Sequence, residues 1–397
     1  MGTKPLEGIR VIEFATMIAA PSCGRLLAHL GAEVIKVEAI EGAPYRKFGY
    51  MTGNEPVMFD MLNMQKKSFS VNAKHPEGKE SLLKLVSTAD VFLTNIREKS
   101  LERLGCTYDA LEKINPRLIY AHFSGYGPTG PLKDLPGYDT TAFFTRFGIL
   151  RDFVDPDSPP TQLIPGLGDL ACGMSLAMNI EAALIGREKT GKGERIESAL
   201  NQVAAWMMLM PMLYAQYGIS YQIKNDGPPV DVSNCNMRCG DGEYILLACG
   251  TIHQCHGLLR AVGMEHLTTD ERCTSTLGFY KNTPTLYPEI APVFLTRGAE
   301  EWVHILRAHD VPCERHRHTI EISSDEQLFA NGYIYKPDYK NNDITVPVPP
   351  IDFASVDFTA NEKGPAIGQH TAELLKALGY SQEQLEAMQN NGAIVMA

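Results

Sequence analysis

Apolar positions in the first forty residues switch between two periods. The run 9–14 is a short apolar strand, a small-residue stretch follows (Ala15, Ala19, Ala20, Pro21), and 22–30 has helical spacing. Gly31 ends that helix, and Glu33–Glu38 (EVIKVE) alternates as a second strand. Strand, helix and strand within about 30 residues form a βαβ unit, and such a crossover joins parallel strands. The rhythm continues with a helix over 76–88, a strand at Val91–Thr94, a helix after Thr107 and a strand over 118–122. The pattern predicts an α/β fold with an open sheet, whose ligands sit beyond the carboxyl ends of the strands.

Further on, the segment 166–187 (GLGDLACGMSLAMNIEAALIGR) reads as a long helix. It stops at the basic, glycine-containing run 189–193 (KTGKG), as suits a helix carboxyl terminus. A strand over 195–198 and a Met-rich apolar helix over 203–214 (VAAWMMLMPMLY) come next. From about Lys224 the texture turns to Gly, Pro, Asp and Asn (NDGPPVDVSN), and a second α/β module runs to about Glu321. The tail ends in helices over 371–378 and after Ser381. The expected domains are 1–200, a linker helix at 201–223, a small domain at 224–322, and a C-terminal return to the large domain at 323–397.

Composition narrows the chemistry. A chain of 397 residues, 21% charged and 44% hydrophobic, suits two globular units. A net charge of −11 argues against nucleic acid or an anionic membrane as main partner, but locally gathered cations can still hold a polyanionic ligand. The first strand is followed by ATMIAAPSCG rather than GxGxxG, which disfavours NAD and FAD. No run of about 18 apolar residues is evident, and 203–214 is too short and contains Pro211, so no membrane span is expected. The start lacks the order of a signal peptide, and Leu6 stands where myristoylation needs Ser or Thr. Nine scattered cysteines suggest reduced thiols in a cytoplasm. Cys235 and Cys239 with His253 and His256 lack the usual spacing of zinc ligands, so no metal is expected.

Three groups of residues could carry chemistry. Asp169, between Gly168 and Ala171-Cys172-Gly173, reads either as a helix N-cap or as a carboxylate nucleophile held ionised by the first helical amides. The turn-rich segment 124–139 (SGYGPTGPLKDLPGYD) reads as a surface loop or as a ligand-holding loop beyond a strand. Lys66, Lys67, Arg97, Lys99 and Arg103 solvate a face or grip an anion; Asn95-Ile96-Arg97 directly follows a strand, where such a grip belongs.

Several long stretches, taken in order, resemble the family III CoA-transferases. They are 8–38 (GIRVIEFATMIAAPSCGRLLAHLGAEVIKVE), 75–95 (HPEGKESLLKLVSTADVFLTN), 114–131 (INPRLIYAHFSGYGPTGP), PGYD at 136–139, GLGD at 166–169 and KTGKGERIE at 189–197. GPLKDLPGYDTTAFFTRFGI and the late ANGYIYKPDY are similar to the 2-hydroxyacyl-CoA branch found in amino-acid-fermenting anaerobes. The resemblance implies a Rossmann-like large domain from both chain ends, a smaller central α/β domain, and two rings interlocked as a homodimer. It implies CoA transfer from an acyl-CoA to a small carboxylic acid, such as the (R)-2-hydroxy acids phenyllactate or 2-hydroxyisocaproate, with no permanently bound cofactor. A functional link to a 2-hydroxyacyl-CoA dehydratase goes with that branch.

By the same resemblance, the nucleophile falls on Asp169 and the basic CoA contacts on Arg97 and Arg103. The backbone and apolar contacts fall near Ala19, Val71, Asn95, Ile96 and Leu104, with Tyr126 in the GYG turn. Ala39 stands where some relatives carry an arginine, and NDGPPVDVSN replaces a glycine run that folds over the site. Two other readings compete: a non-catalytic CoA-binding protein, and an α-methylacyl-CoA racemase, which shares the fold. The racemases place a proton-shuttling histidine in GHD; here the triplet is Gly137-Tyr138-Asp139, and a tyrosine with a pKa of about 10 shuttles protons poorly at neutral pH.

Overall fold

Short strands with apolar residues on both faces must be covered on both sides, and that requirement organises the main sheet. The strands are β1 (Arg10–Phe14), β2 (Glu33–Glu38), β3 (Lys67–Val71), β4 (Val91–Thr94), β5 (Ile119–Ser124) and β6 (Glu194–Ala199). The computed structural model describes residues 3–47, 56–155, 157–218, 229–338, 344–356 and 363–397. Across the sheet the order is β3-β2-β1-β4-β5-β6, all parallel, and a C-terminal strand (Ile394–Val395) adds antiparallel to β3. The order reverses between β1 and β4, which opens a crevice at their carboxyl ends.

One face of the sheet packs Val11, Val34, Leu93 and Ala121 against helix α1 (Ala19–His29) and the long helix Leu167–Thr190. The other buries Ile12, Ile35, Phe69 and Phe92 with Leu374 and Leu385 of the tail helices. Chain contacts gather Met1–Leu150, Gln162–Leu213 and Glu326–Ala397 into one compact unit and Arg151–Thr161 with Tyr214–Asp325 into another. The second unit holds an antiparallel sheet of β7 (Asn236–Arg238), β8 (Tyr244–Leu247) and β9 (Cys313–Arg315). Its own core includes Met237, Ile245, Phe294 and Trp302, and buries Cys235, Cys239, Cys249 and Cys255. His256 Nε2 lies 2.8 Å from the Cys273 carbonyl oxygen, and His253 pairs with Asp310.

Several elements depart from the sequence expectation. α1 begins at Ala19 rather than 22, because the small residues before Ser22 form its first turn. β3 escaped the apolar pattern because its inward positions include serines. Ser68 and Ser70 are buried, with Ser68 Oγ donating to Glu38 Oε1 at 2.8 Å and Ser70 Oγ to the Ala39 carbonyl at 3.3 Å. The single Met-rich helix is two, Leu200–Met207 and Leu209–Gln216, since Pro211 has no N–H to donate to the Met207 carbonyl.

The helix Leu167–Thr190, at 24 residues, is long and apolar enough on average to cross a bilayer, although Asp169 and Glu181 break it, so it contains no unbroken apolar run of about 18 residues. Here one side of it lies in the core. Cys172, Leu176, Ile180 and Leu184 are buried, and Arg187 donates to Asp90 Oδ1 at 2.9 Å. A Cβ at Gly173 would lie 2.0 Å from Ser22 Oγ and 3.0 Å from the Ala19 carbonyl oxygen, so glycine lets this helix press onto α1.

Candidate active site

Loops after β1 and β4 meet at the crevice, and their side chains hold one another. Asn95 accepts from the Thr16 N–H at 2.9 Å and donates to the Thr16 carbonyl at 2.7 Å. Lys36 Nζ reaches the Ala15 carbonyl at 3.4 Å. Directly after these fixed points Met17 is held at φ 64°, a left-handed conformation that costs a non-glycine residue about 1 kcal/mol or more.

The cavity that opens there has a volume of about 670 Å³. Thr16, Met17 and Ala19 line it from the first crossover, Asn95, Arg97, Lys99 and Arg103 from the segment after β4, and Asp169 from the long helix. Val71, Ile96, Leu104 and Tyr126 are not among the lining residues. Val71 is buried beside Ile394 in the sheet, and the Tyr126 carbonyl accepts from Asn201 Nδ2 at 3.1 Å. Ile96 and Leu104 pack against the core on the far face of the sheet.

Two of the suggested anion-gripping cations prove to be structural. Lys66 is buried and donates to Glu13 Oε2 at 2.6 Å, the Pro21 carbonyl at 2.8 Å and Asn63 Oδ1 at 3.0 Å, while Lys36 takes the other Glu13 oxygen at 2.9 Å. Lys67 is shared by Glu33 and Glu373 at 2.8 and 2.7 Å. Arg97 and Arg103 differ. Both are exposed, both line the cavity, and among the described residues neither side chain has an ion pair or hydrogen bond. The cavity's carboxylates are partly neutralised by neighbours: Glu197 by Arg195, and Asp134 by Lys99 at 3.8 Å.

Asp169 is half-buried and is the third residue of its helix, not the cap. Gly166 is the cap, at φ 123°, a conformation open to glycine. The expectation that helical amides keep Asp169 ionised fails. Burial, with the nearby Asp139 carboxylate second, pushes its pKa from 3.8 up to about 7. Asp139 is buried; its Oδ2 accepts from the Gly166 N–H at 2.7 Å, and among the described residues Oδ1 has no hydrogen-bond partner. Tyr45 feels both carboxylates, which with burial raise its pKa. Small residues beside Asp169 also serve packing, since a Cβ at Gly168 would lie 3.0 Å from both Asp139 Cβ and Phe143 Cγ. Phe143 and Phe144 are core, whereas Met17 lines the cavity.

Asp139 as a second acidic group, and the strained Met17, went unrecognised in the sequence reading. Thirty residues separate the two aspartates, and only the fold brings PGYD against GLGD. The loop carrying PGYD is closed at its base by two glycines: a Cβ on Gly125 would lie 2.8 Å from Gly137 Cα. NDGPPVDVSN lies partly outside the described residues.

The model of CoA-transferase family III matches residues 6–371. The chain is 34% identical to (R)-2-hydroxy-4-methylpentanoate CoA-transferase of Clostridioides difficile, over 98% of this chain and 99% of that protein. It is 32% identical to cinnamoyl-CoA:phenyllactate CoA-transferase of Clostridium sporogenes, over 99% and 98%. The crystal structure of a CAIB/BAIF family protein from Brucella suis superposes with a TM-score of 0.80 at 28% identity, covering 95% of this chain and 100% of that one.

Proposed function

We propose a reaction for this chain, which belongs to the family III CoA-transferases and is a transferase enzyme: it moves coenzyme A from an acyl-CoA to a small (R)-2-hydroxy acid through covalent intermediates on Asp169. The observation that carries this reading is a half-buried carboxylate lining the same cavity as two unpaired arginines. Arg97 and Arg103 would take the phosphates of CoA through charge-assisted hydrogen bonds. Asp169 would meet the thioester.

Exchange between a thioester and a carboxylate is nearly balanced in free energy, so it needs neither ATP nor a metal. The obstacle is that free carboxylates are poor nucleophiles. Ionised Asp169 attacks the acyl carbonyl, forming an Asp169–acyl anhydride and expelling CoA thiolate. The thiolate attacks the aspartyl carbonyl, forming the aspartyl-CoA thioester and releasing the acyl group as its carboxylate. The acceptor carboxylate then attacks that thioester, and the returning thiolate takes the acceptor's acyl group, regenerating Asp169. Burial aids the first step twice: a pKa of about 7 makes a more basic nucleophile than an ordinary aspartate, and exclusion of water protects the anhydride.

The choice of acceptor rests on the names of the two similar clostridial enzymes, and on Met17 as an apolar lining residue. The same reading makes the enzyme a cytoplasmic homodimer that supplies a 2-hydroxyacyl-CoA dehydratase. Support for a second copy comes from apolar surface on the first unit: Leu167, Leu170, Met174, Met178 and Ile185 line one side of the long helix, and Trp206 is 75% exposed. Incubation with acyl-CoA and hydroxylamine or borohydride, then peptide mass spectrometry, tests the nucleophile. Modification of Asp169 is expected; a label elsewhere, or full activity in Asp169→Ala, refutes it.

A further inference from the structure

His122, near the carboxyl end of β5, has both ring nitrogens on oxygens that can only accept. Nδ1 lies 2.9 Å from Glu197 Oε2 on β6, and Nε2 lies 3.1 Å from the carbonyl oxygen of Ile96. Glu197 is ionised, since Oε1 accepts from Arg195 Nε at 2.8 Å and pairs with its other guanidinium nitrogen at 2.7 Å. A neutral imidazole has one N–H and one lone pair, so it would set that lone pair against a carbonyl or a carboxylate. The geometry calls for two N–H groups, hence the imidazolium.

The carbonyl that His122 holds belongs to the segment carrying the exposed arginine. In register, His122 lies between Thr94 of β4 and Glu197 of β6, and Ile96 is two residues beyond Thr94. Asn95 is tied on one side to Thr16, and Ile96 on the other to His122; Arg97 follows directly and lines the cavity. We infer that His122 is a positioning residue, whose imidazolium fastens the Ile96 carbonyl to Glu197 and thereby sets Arg97 for the phosphates of the CoA substrate. This rests on the CoA site proposed above.

A consequence is that the hold depends on pH. The titratable groups facing His122 are Glu197 with its partner Arg195 from β6, and Glu98 from the helix Glu98–Leu104; β4 sets Thr94 opposite it. Burial alone lowers the histidine pKa, but the bond and charge of Glu197, the Ile96 carbonyl and Glu98 outweigh it, and the net shift is upward from 6.5. With a raised folded-state pKa, the interaction is complete below the ordinary value and is lost as pH rises through the folded value.

Calorimetric titration of the full-length protein with free coenzyme A at pH 6.5 and pH 9 tests this. At pH 6.5 His122→Gln should bind CoA about three- to tenfold more weakly than wild type, the worth of one hydrogen bond. At pH 9 the difference between the two proteins should be smaller. Equal binding at pH 6.5, or a gap that persists undiminished at pH 9, overturns the inference. Arg97→Ala should bind weakly at both pH values. If it binds like wild type, the CoA site is what fails. A measurement without the His122 variant guards against misfolding: the His122 ring should titrate above 6.5 by NMR, and lower in Glu197→Gln. A ring that is neutral at pH 6.5 in wild type also overturns the inference.

Discussion

Asp139→Asn isolates the second acidic group from everything else at the site. Asp169 is raised from 3.8 to about 7, a shift of about three units, with burial the larger cause and Asp139 the smaller. Asp139 therefore supplies less than half, and neutralising it should move the acid limb of kcat/KM for acyl-CoA down by about one pH unit, equivalent to about 1.4 kcal/mol. At pH 6 about a tenth of wild-type Asp169 is ionised, against about half in the variant, so the variant gains about fivefold relative to its own plateau. The plateau itself should fall, because a less basic carboxylate is a weaker nucleophile. Asparagine keeps an oxygen for the Gly166 N–H, so the helix start survives. The assay is CoA exchange followed by chromatography from pH 5 to 8. An acid limb that stays in place, or moves to higher pH, refutes the account of why Asp169 is weakly acidic.

Other predictions follow from single contacts. Arg97→Ala and Arg103→Ala should raise KM for acyl-CoA about ten- to a hundredfold, the worth of a charged hydrogen bond, and leave KM for the free acid nearly unchanged; equal effects on both substrates would point to misfolding. Asp169→Asn should raise the melting temperature at pH 8 but not at pH 4. The sign follows because a carboxyl with a raised folded pKa loses stability as pH climbs from 3.8 to about 7, by about 4 kcal/mol at most and less for a half-buried, partly solvated group. Glu13→Gln should destabilise more than Lys66→Met in chemical denaturation. The first strands two buried lysines at a cost of about 3–5 kcal/mol, whereas the second leaves the Glu13–Lys36 pair intact. In deuterated water the enzyme should move CoA without placing deuterium at the α-carbon of the acyl-CoA; such incorporation without CoA exchange would favour a racemase.

How much was legible in the sequence depended on whether a property is local. Strands β1, β2 and β4 read correctly because their short runs rich in Val, Ile, Leu and Phe, bounded by charges and glycines, have few alternatives even with Glu13 and Lys36 inside them. β3 did not, since Ser68 and Ser70 look like surface residues until Glu38 and Ala39 arrive as partners from another strand. At the site, the segment 95–97 and the helix bearing Asp169 were placed correctly, but their electrostatics were not. Lys66 and Lys67 read as face-solvating or anion-gripping cations because Glu13, Glu33 and Glu373 are remote in the chain. The acidity of Asp169 was misjudged for the same reason: local sequence offers helical amides, and the fold supplies burial and Asp139.

The short C-terminal strand bears on how the molecule is made. Ile394 and Val395 pair with Val71 and Ser70, so an edge strand made early is paired by residues about 320 positions later. A nascent chain leaving the ribosome holds β3 as an open edge for most of its synthesis, while the second unit, drawn wholly from earlier residues, is free to settle first. Completion of the first unit thus waits until residues 394 and 395 have been made. A chain lacking residues 394 and 395 would carry every proposed active-site residue and still lack the strand that pairs with the edge of β3.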